Sequence, residues 1–177
     1  MTVFLKEVSK EDFSKKASIQ GYTNYERLEF LQSRFYFIQQ NEDYLGYIVW
    51  AEAYNKYTRQ KNWILTNINV SSAYQRRGIG SSALKKAHEV LLSQFSAKSY
   101  IVTISNYNVF KMIVREHVNG AIDFYCPIND QYPVEEMKEE EKTLEQFFKF
   151  NPHRHVDVIV SFDKNETERV KPLFFKV

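Results

Sequence analysis

WILTNINV (63–70), SSAYQRRGIG (71–80) and SSALKKAHEVLLSQF (81–95) follow one another without a break, and their reading decides the fold. In the first segment Ile64, Thr66, Ile68 and Val70 recur at every second position, which predicts a strand with those four on one side. In the third, Ile79, Ala83, Ala87, Val90 and Leu91 recur at helical spacing, with Lys85, Lys86 and Glu89 elsewhere on the wheel. Gly78 to Phe95 therefore reads as an amphipathic helix. Between the two, Gln75-Arg76-Arg77-Gly78-Ile79-Gly80 sets two glycines at the strand-to-helix turn, where a ligand meets backbone with no Cβ in the way. The amides of that loop and of the first helical turn lack intrahelical partners, and the helix dipole adds partial positive charge there. Together they suit a phosphate or diphosphate, with the cations Arg76 and Arg77 beside it. A tight turn with no ligand is the plain alternative for the glycine pair taken alone.

Two phosphate loops are excluded. A Walker loop needs Gly-Lys-Ser/Thr, but Gly80 is followed by Ser81-Ser82; a dinucleotide fingerprint needs three glycines and an acidic residue after the next strand.

Working outward, Val3 to Val8 reads as a strand and Ser9 as the cap of a helix through about Ser18. Tyr25 to Leu31 is a weaker helical segment. Phe35 to Ile38 and Tyr44 to Tyr54 form a hairpin about Asn41-Glu42-Asp43, with Tyr47, Val49, Ala51 and Ala53 facing away from Ile48, Trp50, Glu52 and Tyr54. Downstream come a strand at Tyr100–Ile104, a helix from Asn108 to His117 that stops at Asn119-Gly120, and a strand at Ala121–Tyr125. Val134 to Phe150 reads as a further helix, and Val156–Val160 and Leu173–Phe175 as strands. The order predicts an α/β (α+β) fold, a mixed and mostly antiparallel central sheet flanked by helices. No linker, repeat or low-complexity tract divides the chain, so residues 1–177 read as a single domain.

Composition bounds the function. Lys and Arg number 24 against 22 Asp and Glu, a net +2 that directs the protein neither to nucleic acid nor to a membrane surface. No apolar run approaches the ~20 residues needed to cross a bilayer. Cys126 is the only cysteine and the N-terminus does not resemble a signal peptide, so the chain reads as cytoplasmic. The acidic run around Glu135–Glu141 reads as the wet face of a helix. His153 and His155 have only Asp157 nearby as a further ligand type, and no metal is expected.

Val70, four residues, then Gln-x-x-Gly-x-Gly at the head of an amphipathic helix resembles the acetyl-CoA signature of the GNAT N-acetyltransferase family, Arg/Gln-x-x-Gly-x-Gly/Ala. Ile104-Ser105-Asn106-Tyr107-Asn108, a helix and Asn119-Gly120 are similar to that family's next strand and helix. The likeness spans Val3 to Tyr125, so 1–125 would be the family core and 126–177 an extension packed on it. It implies acetyl-CoA as co-substrate and direct transfer of the acetyl group from the thioester to a primary amine. In this sequence the motif residues Gln75, Arg76, Arg77, Gly78, Ile79, Gly80 and Ser81 would hold the diphosphate. Ile68, Asn69 and Val70 would be the bulged strand end that pairs with the pantetheine arm and points an N–H at the thioester carbonyl. Asn108 would sit beside the pantetheine, or else serve as a helix cap. Lys85 and Lys86 read as a solvated face.

The proton-transfer groups depart from the family pattern. A Tyr is common seven residues after the helix-opening Asn, where this chain has Arg115, and the usual Gly-Phe is Gly120-Ala121. Tyr107 and Tyr125 are the candidate acids, with a core Tyr as the alternative for each. Glu52 is the candidate base beside the cleft, and Glu26 and Glu29 lie in the region that covers the acceptor in the family. Asn67 and Asn69 stand where some relatives carry an acidic residue. A binding protein of the same fold that has lost catalysis is therefore the second reading. Expected partners are a small-molecule or peptide amine and a second copy of the chain, with the aromatic residues Phe147, Phe148 and Phe150 suited to an acceptor pocket, an interface or plain core packing.

Overall fold

An antiparallel meander forms the first half of the chain: β1 (Phe4–Val8), β2 (Leu28–Gln40), β3 (Asp43–Asn55) and β4 (Lys61–Val70), each paired with the next. The computed structural model describes residues 2–17, 28–55, 61–104, 106–116, 122–125 and 156–162. It resolves into two units, Met1–Ala97 and Lys98–Val177.

Helix α1 (Lys10–Lys16) lies between β1 and β2. Ser9 caps it by accepting the Asp12 N–H at 3.0 Å, with acidic Glu11 and Asp12 in the first turn and Lys15 and Lys16 in the last. Its one buried residue, Phe13, packs on Phe35, Phe37 and Val49, with the Phe13 and Phe35 rings 4.8 Å apart. These strand residues share a face because Phe35 pairs with Val49 and Phe37 with Tyr47. The opposite face carries Tyr36, Ile38, Ile48, Trp50 and Leu65, all buried.

Helix α2 (Ile79–Phe95) follows β4 and covers that second face. Phe95 stacks on Trp63 at 4.6 Å and lies under the Arg34 guanidinium at 5.0 Å. Ala83, Leu84, Ala87, His88 and Leu91 are buried along the helix. Each fully buried leucine contributes about 1.5–3 kcal/mol.

In the second unit β5 (Ser99–Ile104) precedes α3 (Tyr107–Glu116), β6 (Ile122–Tyr125) and β7 (Val156–Ser161). β7 pairs antiparallel with both β5 and β6 and so lies between them. Tyr100 of β5 is fully buried, 5.9 Å from the Phe162 ring. None of the described helices is long and apolar enough to span a membrane.

Two expectations are corrected. Leu28 to Leu31 are strand, not helix, because β2 runs on to pair Leu28 with Asn55 and Glu29 with Tyr54; cross-strand pairing overrides a weak local helical preference. Ile64, Thr66, Ile68 and Val70 do not share one side either. Val49 pairs with Asn67 and Trp50 with Leu65, so Thr66 is an extra residue, a bulge. Beyond it Ile68 and Val70 join the face of Leu65 and Ile48, while Ile64 stays on the face of Ala51. The expected elements at 134–150 and 173–175 lie outside the described residues, as do Glu26, Cys126, Phe147, Phe148, Phe150, His153 and His155.

Candidate functional site

The end of β4 is anchored before the loop begins. Ser71 N–H donates to the Leu45 carbonyl at 2.8 Å, and Gly46 pairs with Val70. Gly46 packs so closely on β4 that a Cβ there would overlap the Asn69 carbonyl oxygen and come within 2.9 Å of Val70 Cα. A lone glycine inside a strand pattern is the signal for such an approach, and it went unread in the sequence.

A 3₁₀ turn, Ser72–Tyr74, then carries the chain out of the strand. The Gln75 side chain reaches back and donates to the Val70 carbonyl at 2.8 Å, closing the loop on its own origin. Two left-handed residues follow, Arg76 at φ 62° and Gly78 at φ 76°. For Arg76 that conformation costs roughly 1–2 kcal/mol; for glycine it costs nothing. A turn in which left-handed residues flank another residue, as Arg76 and Gly78 flank Arg77, is the kind of backbone that can gather amides for an anion.

Gly78 caps α2 without a side-chain hydrogen bond, and the first i→i−4 bond of the helix is Ser82 N–H to the Gly78 carbonyl at 3.0 Å. The amides of Ile79 and Gly80 stand ahead of that bond at the positive end of the dipole. A Cβ placed on Gly78 meets nothing within 4 Å among the described residues. Ile79 is buried and pins the helix head, whereas Arg76 and Arg77 are exposed, Arg77 lying 5.8 Å over the Tyr74 ring.

Ile68, Asn69 and Val70 form the last three residues of β4, but not as a bulged end. Ile68, Asn69 and Val70 run in regular register against Ile48, Tyr47 and Gly46; the bulge lies earlier, at Thr66, whose hydroxyl donates to the Val49 carbonyl at 3.0 Å. Past the bulge the strand is less covered: Ile68 and Val70 are half-buried and Asn69 is exposed.

Glu52 is at the other end of the ladder, opposite Trp63 and six residues along β3 from Gly46, about 20 Å of strand. Its carboxylate is held by Lys61 at 3.3 Å and accepts from the Gln32 side chain at 3.0 Å. Gln32 in turn lines a cavity of about 400 Å³ between the start of α1 and the first half of β2, with Glu7 and Arg34 in its wall. Those two are ion-paired at 2.9 Å, and the bond to Glu7 raises the pKa of Arg34 above its ordinary value.

Tyr107 and Asn108 belong to the second unit, as the first two residues of α3. Tyr107 is half-buried with Lys111 5.4 Å above its ring. Asn106, not Asn108, supplies the cap: its side-chain oxygen accepts the Asn108 N–H at 2.8 Å. The Asn108 side chain is exposed. Arg115 lies in the last turn of α3. Among the described residues no cluster of His, Cys, Asp and Glu has metal-binding geometry.

Residues 3–125 match the family model described as the acetyltransferase (GNAT) family. No curated protein sequence matches the chain significantly. Among solved structures, a chimera of the spermidine N-acetyltransferase SpeG from Vibrio cholerae and hSSAT superposes with a TM-score of 0.53 at 10% identity, over 91% of this chain and 96% of that one. SpeG from Vibrio cholerae with manganese ions gives 0.53 at 8% identity, over 95% and 96%. A Bacillus anthracis protein assigned as a streptothricin acetyltransferase, in complex with acetyl coenzyme A, gives 0.51 at 12% identity, over 92% and 100%. At such identities the likeness is one of fold, and that fold is the mixed α/β arrangement the element order predicts.

Proposed function

Because this chain belongs to the acetyltransferase (GNAT) family, we propose that it moves an acetyl group from acetyl coenzyme A to a primary amine by direct attack on the thioester. The observation that carries this is the loop after β4: left-handed Arg76 and Gly78, uncapped amides at the head of α2, and open space where a Gly78 side chain would be. These features suit a diphosphate, one of the charged parts of the carrier. On this reading the segment from Gln75 to Ser81 grips the diphosphate, the backbone of Ile68 to Val70 lies along the pantetheine arm, and Asn108 lies near its thiol end. A strand N–H directed at the carbonyl oxygen stabilises the charge that develops there. Tyr107 is the proposed acid, contributing on the order of 10²–10⁴-fold, whereas Glu52, about 20 Å of strand from the Gly46–Val70 pair, is out of proton-transfer reach of that strand N–H.

An amine acceptor is supported by the neighbours of like fold, whose names state spermidine and streptothricin as substrates. Arg115, standing where many family members carry the acid Tyr, favours a second reading in which the carrier is bound but not turned over.

Calorimetric titration with coenzyme A, paired with free-thiol release from acetyl-CoA across a panel of amines, separates these readings. Gly78→Val and Gly80→Val should each weaken coenzyme A binding by more than tenfold while circular dichroism still shows a folded protein. Undiminished affinity in both variants would refute the phosphate site. Tight binding without turnover on any amine would select the second reading.

A further inference from the structure

One buried polar atom on β4 stands without a hydrogen-bond partner among the described residues. The side-chain oxygen of Asn67 is shielded from solvent and has no hydrogen-bond partner among the described residues. Asn67 directly follows the bulge residue Thr66 and pairs with Val49. The Thr66 hydroxyl is already committed to the Val49 carbonyl and is not the donor to Asn67. Buried acceptors in folded proteins are nearly always satisfied, and one that is not marks strain, a bound water or a group supplied by a ligand.

The position favours the ligand. Three residues, about 10 Å of strand, separate Asn67 from Val70, where the loop begins. Coverage of the strand falls away over that same interval. Tyr36 Oη and Arg34 Nε are also buried without hydrogen-bond partners among the described residues, but both belong to β2, two strands away from β4.

We propose that Asn67 Oδ1 accepts a hydrogen bond from an N–H of a bound substrate and positions it alongside the bulge. The inference rests on the acetyl-CoA reading of the loop. An N–H of this kind has two sources: an amide in the arm of the carrier, or the acceptor amine itself. A neutral amide oxygen is suited to the second, because it accepts from an uncharged amine without favouring the ammonium form as a carboxylate would.

Asn67→Leu removes both polar atoms at nearly constant volume, and Asn67→Ala serves if the leucine variant does not fold. Both are compared with the natural protein in coenzyme A affinity, in KM and kcat for an amine panel that includes spermidine, and in thermal midpoint. The expected result is a midpoint unchanged or higher with about a tenfold loss in one ligand. Weaker coenzyme A binding identifies the carrier amide; a raised amine KM at unchanged coenzyme A affinity identifies the amine. A lowered midpoint in both variants would show that the oxygen has a structural partner and would overturn the inference. So would unchanged coenzyme A affinity accompanied by either an unchanged amine KM or no turnover in any of the proteins. If the natural protein binds no coenzyme A, the acetyl-CoA reading fails and takes this inference with it; if it binds and the variants match it, only the inference fails.

Discussion

Gly46 shows how a single missing side chain shapes a site made elsewhere in the chain. Its backbone is pressed against Asn69 and Val70, and the bond from Ser71 to Leu45 continues that contact into the loop. Gly46→Ala forces a methyl into the Asn69 carbonyl, with an expected cost of about 1–3 kcal/mol by overpacking. It should also lower coenzyme A affinity, because the strand end that starts the loop has to shift. Denaturant midpoints and calorimetry on the same preparation check both expectations; a variant as stable and as avid as the natural protein would refute them. Gly78 differs in kind. Nothing crowds it, so its glycine answers to a left-handed backbone and to the space in front of it.

At the level of elements, α3 separates two asparagines that look alike in the sequence. Asn106 holds the helix end through the Asn108 N–H, while the Asn108 side chain is exposed. Asn106→Ala should therefore cost about 0.5–2 kcal/mol, and Asn108→Ala close to nothing. Thermal melts of the two variants settle this, and equal losses would contradict the assignment. With its structural role removed, Asn108 reports on ligand alone: a loss of coenzyme A affinity in Asn108→Ala at an unchanged melting point would support its proposed place beside the carrier. Strand-loop-helix order around Gly78 was legible because two periodicities meet at a glycine pair, and both are properties of contiguous residues. The bulge at Thr66 was not, since a skipped pairing is decided by the register of β3 against β4 and leaves no local mark. The same holds for residues 28–31, whose strand character comes from partners on β3. Glu52 illustrates the limit for site residues: alternation gave its face correctly but not its distance from the loop.

For the molecule as a whole, buried tyrosines, among the 12 in the sequence, become a pH response. Burial pushes Tyr36 up to about 12, with the nearby Glu7 adding to it and Arg34 opposing. Burial raises Tyr100 as well, and that residue lies in the second unit, so each unit carries a shifted phenol. A raised folded pKa means stability that is intact below the ordinary tyrosine value near 10 and is lost as pH climbs past it. Melting temperature should therefore hold through neutral pH and fall between pH 10 and about 12. Tyr36→Phe should melt no lower than the natural protein at pH 8, because its hydroxyl has no hydrogen-bond partner among the described residues, and should lose less on alkalinisation, on the order of 1 kcal/mol. A flat profile from pH 8 to 12 would contradict the assignment.

Thr66 carries one more consequence. Every cross-strand neighbour from Lys61 to Val70 can be kept if that residue is excised, because Leu65 and Asn67 already face adjacent positions on β3. Its excision would mend the ladder and erase the kink together with the hydroxyl's bond to the Val49 carbonyl. A chain shortened by this one threonine would thus divorce the angle at which the strand delivers its tip from the adhesion that holds the strand in place.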